Sequence, residues 1–233
     1  MDRRQFVRTL AAAGIGTAAG CLSDAGGATT ASATPARVSE DAAATAGYEY
    51  QGTRERVGTE RVGGEDVEVT SYVSVYDRAI ELPTERFGGD AVKAGVFAVL
   101  AVPQVTAGGE TVNPVSDLSR RNLANRVQNH YEGFEIDRAV GGRALQALGQ
   151  RFSFQSYEGT ATLQGEAEIA VRIDLARRDH EDDHDVIAAI YPVEDLLGGE
   201  SEQERVDTLV GGLEQYDDID IEIVDENDGG DGG

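Results

Sequence analysis

The sequence predicts one α+β domain, an antiparallel β-sheet with one main helix and a second, C-terminal helix packed on it. Three observations predict it. Between Val67 and Tyr191 apolar residues recur with a period of two or in short unbroken runs, as in strands. Two stretches, around Leu123 and Leu209, carry apolar residues at helical spacing instead. Glycine pairs such as Gly63-Gly64 separate the strand patterns at hairpin distance.

The domain starts near Tyr48. Residues Tyr48 to Val62 read as a strand broken by Gly58, and Gly63-Gly64 reads as the turn after it. Val67, Val69, Val73 and Val75 then alternate with polar positions, which closes a hairpin. Pro83 and Gly88-Gly89 end that pattern. Val96 to Val102 is continuously apolar between Gly95 and Pro103, so it reads as a central strand covered on both faces. Ser116 or Asp117 can cap a helix that runs to Tyr131, with Leu123, Val127 and Tyr131 on one face. After it come a weak pattern from Arg143 to Leu148 and three better ones. Phe152 and Phe154 alternate with polar residues. So do Ile169, Val171, Ile173 and Leu175. Val186 to Tyr191 is another apolar run. Short turns join them, so they form an antiparallel meander. Val206, Leu209, Val210 and Leu213 are spaced i, i+3, i+4, i+7 and make the second helix. Ile219, Ile221 and Ile223 could add a last short strand.

The N-terminus carries an address. Arg3-Arg4 opens a charged segment, a run of small apolar residues from Leu10 to Gly20 follows, and Cys21 ends it. The run is too short to span a bilayer, which takes about 20 apolar residues. A charged start, a short apolar stretch and a small-residue cleavage site make a secretory signal. Arg3-Arg4 with Phe6 resembles the twin-arginine export signal. Ala18-Ala19-Gly20-Cys21 resembles a lipobox, in which the cysteine thiol is lipidated. Gly14-Ile15-Gly16-Thr17-Ala18-Ala19 fits a dinucleotide fingerprint by letter, but it lies in the export segment, not between a strand and a helix. The organisation expected is therefore a signal peptide over 1–20, a flexible tether over 21–47, one domain over 48–224 and an acidic disordered tail over 225–233.

Composition narrows the partners. The 233-residue chain has a formal charge of −23, and Lys93 is its only lysine. The acids are spread along the whole chain, as in proteins that stay soluble in concentrated salt, where their repulsion is screened. There is no basic patch, and phosphate would be repelled, so nucleic acid is not an expected partner. The expected partner is the membrane, through lipidated Cys21, on the outer face of the cytoplasmic membrane.

The segment PVSDLSRRNLANRVQNHYEGF, after the strand GVFAVLAVPQV, resembles a haloarchaeal family of exported lipoproteins of unknown function. The order hairpin, strand, helix, meander, helix is similar to the PsbP-type α+β fold. The resemblance covers about residues 47–224. It implies a fold, no activity and no site residues.

One motif invites chemistry. His180-Glu181-Asp182-Asp183-His184 is a literal H-E-x-x-H, in which two histidines on one helix face bind zinc and the glutamate is the general base. Glu202 or Glu204 could be a third ligand by spacing alone. The segment has no apolar face and sits between two strand patterns, so it reads as an exposed acidic turn. His130, near the end of the main helix, reads as a cap. Tyr48, Tyr50, Tyr72, Tyr76 and Tyr157 fall on strands and could line a groove for a ligand or peptide. The function expected is a non-catalytic binding or accessory module with no cofactor. The alternatives are a metal-dependent hydrolase using His180, Glu181 and His184, or a structural envelope protein.

Overall fold

A computed structural model describes residues 29–81, 91–107, 109–112, 135–163, 167–180, 183–193 and 201–216. In chain order the elements are β1 (Thr29–Ser32), β2 (Ala36–Val38), α1 (Glu40–Ala46), β3 (Glu49–Val62), β4 (Glu65–Glu81), β5 (Ala91–Pro103), β6 (Val105–Ala107) and β7 (Glu110–Val112). They continue with β8 (Glu135–Ala147), β9 (Gln150–Leu163), β10 (Ala167–His180), β11 (Asp183–Pro192), α2 (Glu202–Gly211) and β12 (Leu213–Gln215).

Two meanders make one sheet. The first is β3, β4 and β5, and the second is β8, β9, β10 and β11. They join where β11 pairs antiparallel with β5, from Asp183 opposite Pro103 to Ile190 opposite Val96. β3 occupies one side of β4 from Glu65 to Asp77, and β5 and β1 share the other. β1 is parallel to β4, with Thr29 opposite Val67. Gly63 and Gly64 both have positive φ (59° and 86°), the conformation a two-residue hairpin turn needs, and glycine reaches it without steric cost.

One face of this sheet carries both helices and the small β2–β12 ribbon. Phe97 and Val99 of β5, Phe152 and Phe154 of β9 and Ile187 of β11 meet Val206, Leu209 and Val210 of α2 there. The three α2 side chains are fully buried, and each such burial stabilises by roughly 1.5–3 kcal/mol. Ser201 caps α2 with a capping box: its Oγ accepts from the Glu204 N–H, and the Glu204 carboxylate accepts from the Ser201 N–H. The opposite face buries Val171, Ile173, Leu175, Val186 and Ile190. At its far end the β6–β7 hairpin folds over Val62, Val67 and Val69.

The structure corrects the fold class. It is predominantly β, a large mixed sheet with two short helices, and not α+β. Strands of 10 to 17 residues replace the shorter ones expected. β3 passes through Gly58 unbroken, and the weak pattern from Arg143 belongs to the 13-residue β8. The second helix is found as α2. The expected main helix over 116–131, His130 and the strand at Ile219–Ile223 lie outside the described residues, as do 1–28 and the tail.

A second correction concerns the tether. Residues 29–47 form β1, β2 and α1. Their small side chains, read as flexibility, are what allows close packing. Ala36, Ala43 and Ala46 are buried, and a Cβ on Gly212 after α2 would lie 2.2 Å from the Ala42 Cβ of α1.

Candidate functional site

Three places in the fold bring polar chemistry together. The first is an open cleft of about 450 Å³ between β2, α1 and the start of β3. Arg37 and Val38 come from β2, Glu40, Ala43 and Ala44 from α1, Glu49 and Tyr50 from β3, and Tyr76 from β4. Gly47 and Tyr48 complete it. Gly47 ends α1 in the left-handed conformation (φ 73°) and puts no side chain into the floor.

The tyrosine hydroxyls are engaged with the protein. Tyr76 accepts from the Val38 N–H at 2.8 Å and donates to the Val38 carbonyl at 3.2 Å. Tyr50 begins a relay whose direction is fixed by its end. Ser74 donates its one hydroxyl proton to the Ala36 carbonyl (2.7 Å), so Thr53 donates to Ser74 (2.7 Å) and Tyr50 to Thr53 (2.5 Å). The Tyr48 hydroxyl lies 3.5 Å from Glu202. Burial pushes the Tyr48 and Tyr76 phenols well above their usual range, so both stay neutral. The Tyr50 and Tyr76 rings are 5.2 Å apart and tilted. The Arg37 guanidinium sits 4.3 Å from the Tyr216 ring centre and 5.9 Å from that of Tyr50.

The second place is a carboxylate buried under α2. Asp174 of β10 is fully buried and accepts from Arg143 of β8 (2.6 Å), Ser156 of β9 (2.5 Å) and Tyr191 of β11 (2.5 Å). Arg143 also holds Asp207 of α2. One carboxylate thus ties all four strands of the second meander, and through Arg143 ties them to the helix. It is closed off from solvent, which makes it a structural tie.

The third place is the β10–β11 tip, which holds the H-E-x-x-H letters. His180 ends β10 and His184 lies in β11, so the helical face a zinc site needs is absent. Glu181 and Asp182 lie outside the described residues. Among the described residues no group of three or more His, Cys, Asp or Glu side chains is placed to hold a metal. Glu202 pairs with Arg78, and Glu204 caps α2, so neither acts as a third ligand.

The exposed acidic turn is corrected as well, because Asp183, His184 and Asp185 are buried. The strands continue almost to the tip, and the chain at Thr34 crosses it, donating its N–H to Asp183 at 2.7 Å. Asp185 has no solvent exposure and both carboxylate oxygens lack a hydrogen-bond partner. Burial and then the neighbouring Asp183 charge push it up to about 7.

Of the residues singled out by sequence, Tyr48, Tyr50 and Tyr76 come together. Tyr72 lies further along β4 beside Ala33 and Ala101, and Tyr157 is in the core of the opposite face. Arg3, Arg4 and Cys21 lie outside the described residues. Arg37, Asp174 and Asp185 were missed. Arg37 sat in the supposed tether, and Asp174 in the polar register of an alternating strand.

A family of domains of unknown function, DUF6517, matches residues 35–214. The chain belongs to the DUF6517 family. The DUF6517 match begins one residue before β2, so it takes in the cleft, the Asp174 tie and the buried tip, and leaves out β1. No curated protein matches the chain.

Proposed function

We propose that the protein is an extracytoplasmic, lipid-anchored binding module whose DUF6517 domain takes a small ligand in the Tyr48–Tyr50–Tyr76 cleft. The cleft supports this reading. It is a small-ligand-sized concavity with apolar walls and a few charged groups at its margin, the usual make-up of a binding site. The address rests on Arg3-Arg4 and Cys21, and on the acidic surface expected of a protein working in concentrated salt.

Two experiments test it. Cys21→Ser should move the protein from the membrane fraction into the medium, or leave it unprocessed. If the variant stays membrane-bound at mature size, the anchor is wrong. For the cleft, tyrosine ring signals are followed by NMR in concentrated KCl while small-molecule fractions of the growth medium are added. The Tyr48, Tyr50 and Tyr76 rings should respond before the others. If no fraction moves them, the binding reading fails.

A further inference from the structure

We propose that two copies of the chain pair through β3, antiparallel about a two-fold axis at Gly58, so that their sheets run on into one another. Among the described strands the large sheet ends at β1, β8 and β3. β1 has four residues. β8 is interrupted by register shifts at Ile136/Arg138 and Ala139/Gly141, and bulges of that kind blunt an edge against pairing. β3 has no such protection toward its hairpin end. Its register with β4 is unbroken from Thr53 to Val62, and Arg56 to Arg61 are exposed on both faces. Val57 is 57% exposed, the most open large apolar side chain among the described residues.

The backbone restricts the register. Gly63-Gly64 is a two-residue turn, so Val62 and Glu65 form a hydrogen-bonded pair. Every second residue back from Val62 then spends its N–H and C=O on β4, and the Arg56 carbonyl also accepts from the Ser71 hydroxyl at 3.4 Å. Glu55, Val57, Thr59 and Arg61 turn theirs outward. Outward residues must meet outward residues, so the axis passes through a residue and not between two. Charge then selects which residue. β3 carries Glu49, Glu55 and Glu60 against Arg54, Arg56 and Arg61, so it is neutral in a chain at −23 and lets copies meet that repel elsewhere. With the axis at Gly58, Arg56 lies opposite the second copy's Glu60 on one face, and Glu55 opposite the second copy's Arg61 on the other. Each pair occurs twice and no like charges face each other. With the axis at Val57 only Arg54 and Glu60 meet, and at Thr59 no charges do. Glu55 accepts from the Tyr72 hydroxyl (3.3 Å) through one oxygen only. Arg61 faces Asp66 at 3.6 Å in an exposed pair, which contributes little and is easily exchanged.

The test uses the full chain carrying Cys21→Ser, which removes its only cysteine, in concentrated KCl to screen the net charge. Sedimentation equilibrium should show monomer and dimer exchanging with concentration. At Gly58 an added Cβ meets nothing within 4 Å. In the dimer the two Gly58 positions are a non-hydrogen-bonded pair with Cα atoms about 4.5 Å apart, within disulfide range. Mild oxidation should therefore join two copies through Gly58→Cys and leave Val57→Cys, whose position faces Thr59 instead, unjoined. Arg56→Glu should weaken the dimer about tenfold, since two attractive pairs turn repulsive, and adding Glu60→Arg should restore it. A chain that stays monomeric at every concentration overturns the pairing. So does a dimer that crosslinks equally at both positions or is indifferent to Arg56→Glu, because its copies meet elsewhere.

Discussion

Asp185→Asn should gain stability relative to the parent as pH rises from about 4 to 8. Asp185 is fully buried, and its oxygens accept no hydrogen bond. The groups beside it on that face are Asp183, a like charge, and Arg178 across the β10–β11 pair, whose guanidinium donates to the Arg151 carbonyl. Burial and the Asp183 charge both disfavour the ionised form, and the Arg178 guanidinium, turned to the Arg151 carbonyl, does not offset them. The carboxyl titrates near 7 in the fold against 3.8 for a free side chain. Between those values the folded state holds a proton the unfolded state has released, so stability falls as pH rises from about 4 to about 7 and is level above. At about 1.4 kcal/mol per pH unit the whole loss is roughly 4 kcal/mol, an upper figure because water entry and relaxation reduce it. The assay is urea unfolding of both proteins in fixed, concentrated KCl at several pH values. A constant offset between the two curves measures the cost of burying the amide. The change in offset with pH measures the carboxyl. Parallel curves from pH 4.5 to 8 would refute the reasoning, because they would mean that Asp185 has found a partner or remains hydrated.

Two further substitutions test the packing. Asp174→Ala removes the acceptor shared by Arg143, Ser156 and Tyr191 and should cost about 3–5 kcal/mol in urea unfolding, because buried donors are left unpaired; a loss below about 1 kcal/mol would show that the tie is dispensable. Gly212→Ala places a methyl on Ala42 of α1 and should cost about 1–3 kcal/mol by overpacking. Adding Ala42→Gly should recover part of the loss, and a double variant no better than the single one would place the strain elsewhere.

Much of the sheet was legible because strands announce themselves locally. The Gly63-Gly64 turn, the alternation in β4 and the apolar runs in β5 and β11 each need only a few neighbours to be read. The pairing of β5 with β11 was not legible, since nothing local in Val96 or Ile190 names its partner. Alternation also misled. In β10, Ile173 and Leu175 marked a buried face, and Asp174 between them read as solvent-facing. The helix-covered face buries it too, and its partners come from three other strands and, through Arg143, from α2. The cleft was half legible. The tyrosines were visible as strand residues, but Arg37 lay among alanines and threonines whose composition resembles a linker. Alanine serves a linker and a tight helix contact equally well, and only the presence of Gly212 opposite decides between them. The charged tip misled for a related reason. Asp and His in a row suggest water, yet Thr34, far away in sequence, covers Asp183.

With the proposed lipid on Cys21, the parallel pairing of β1 with β4 would set how far the domain could stand from the membrane. With Thr29 already fixed to the sheet, eight peptide steps separate it from Cys21. A chain rises at most about 3.3–3.6 Å per residue, so β1 would start no more than about 28 Å from a lipid attached at Cys21. A tether running to Gly47 would have had more than three times that reach. On the proposed anchor the sheet would be confined to a thin layer above the headgroups. A ligand or partner would then have to come to the membrane surface to meet it.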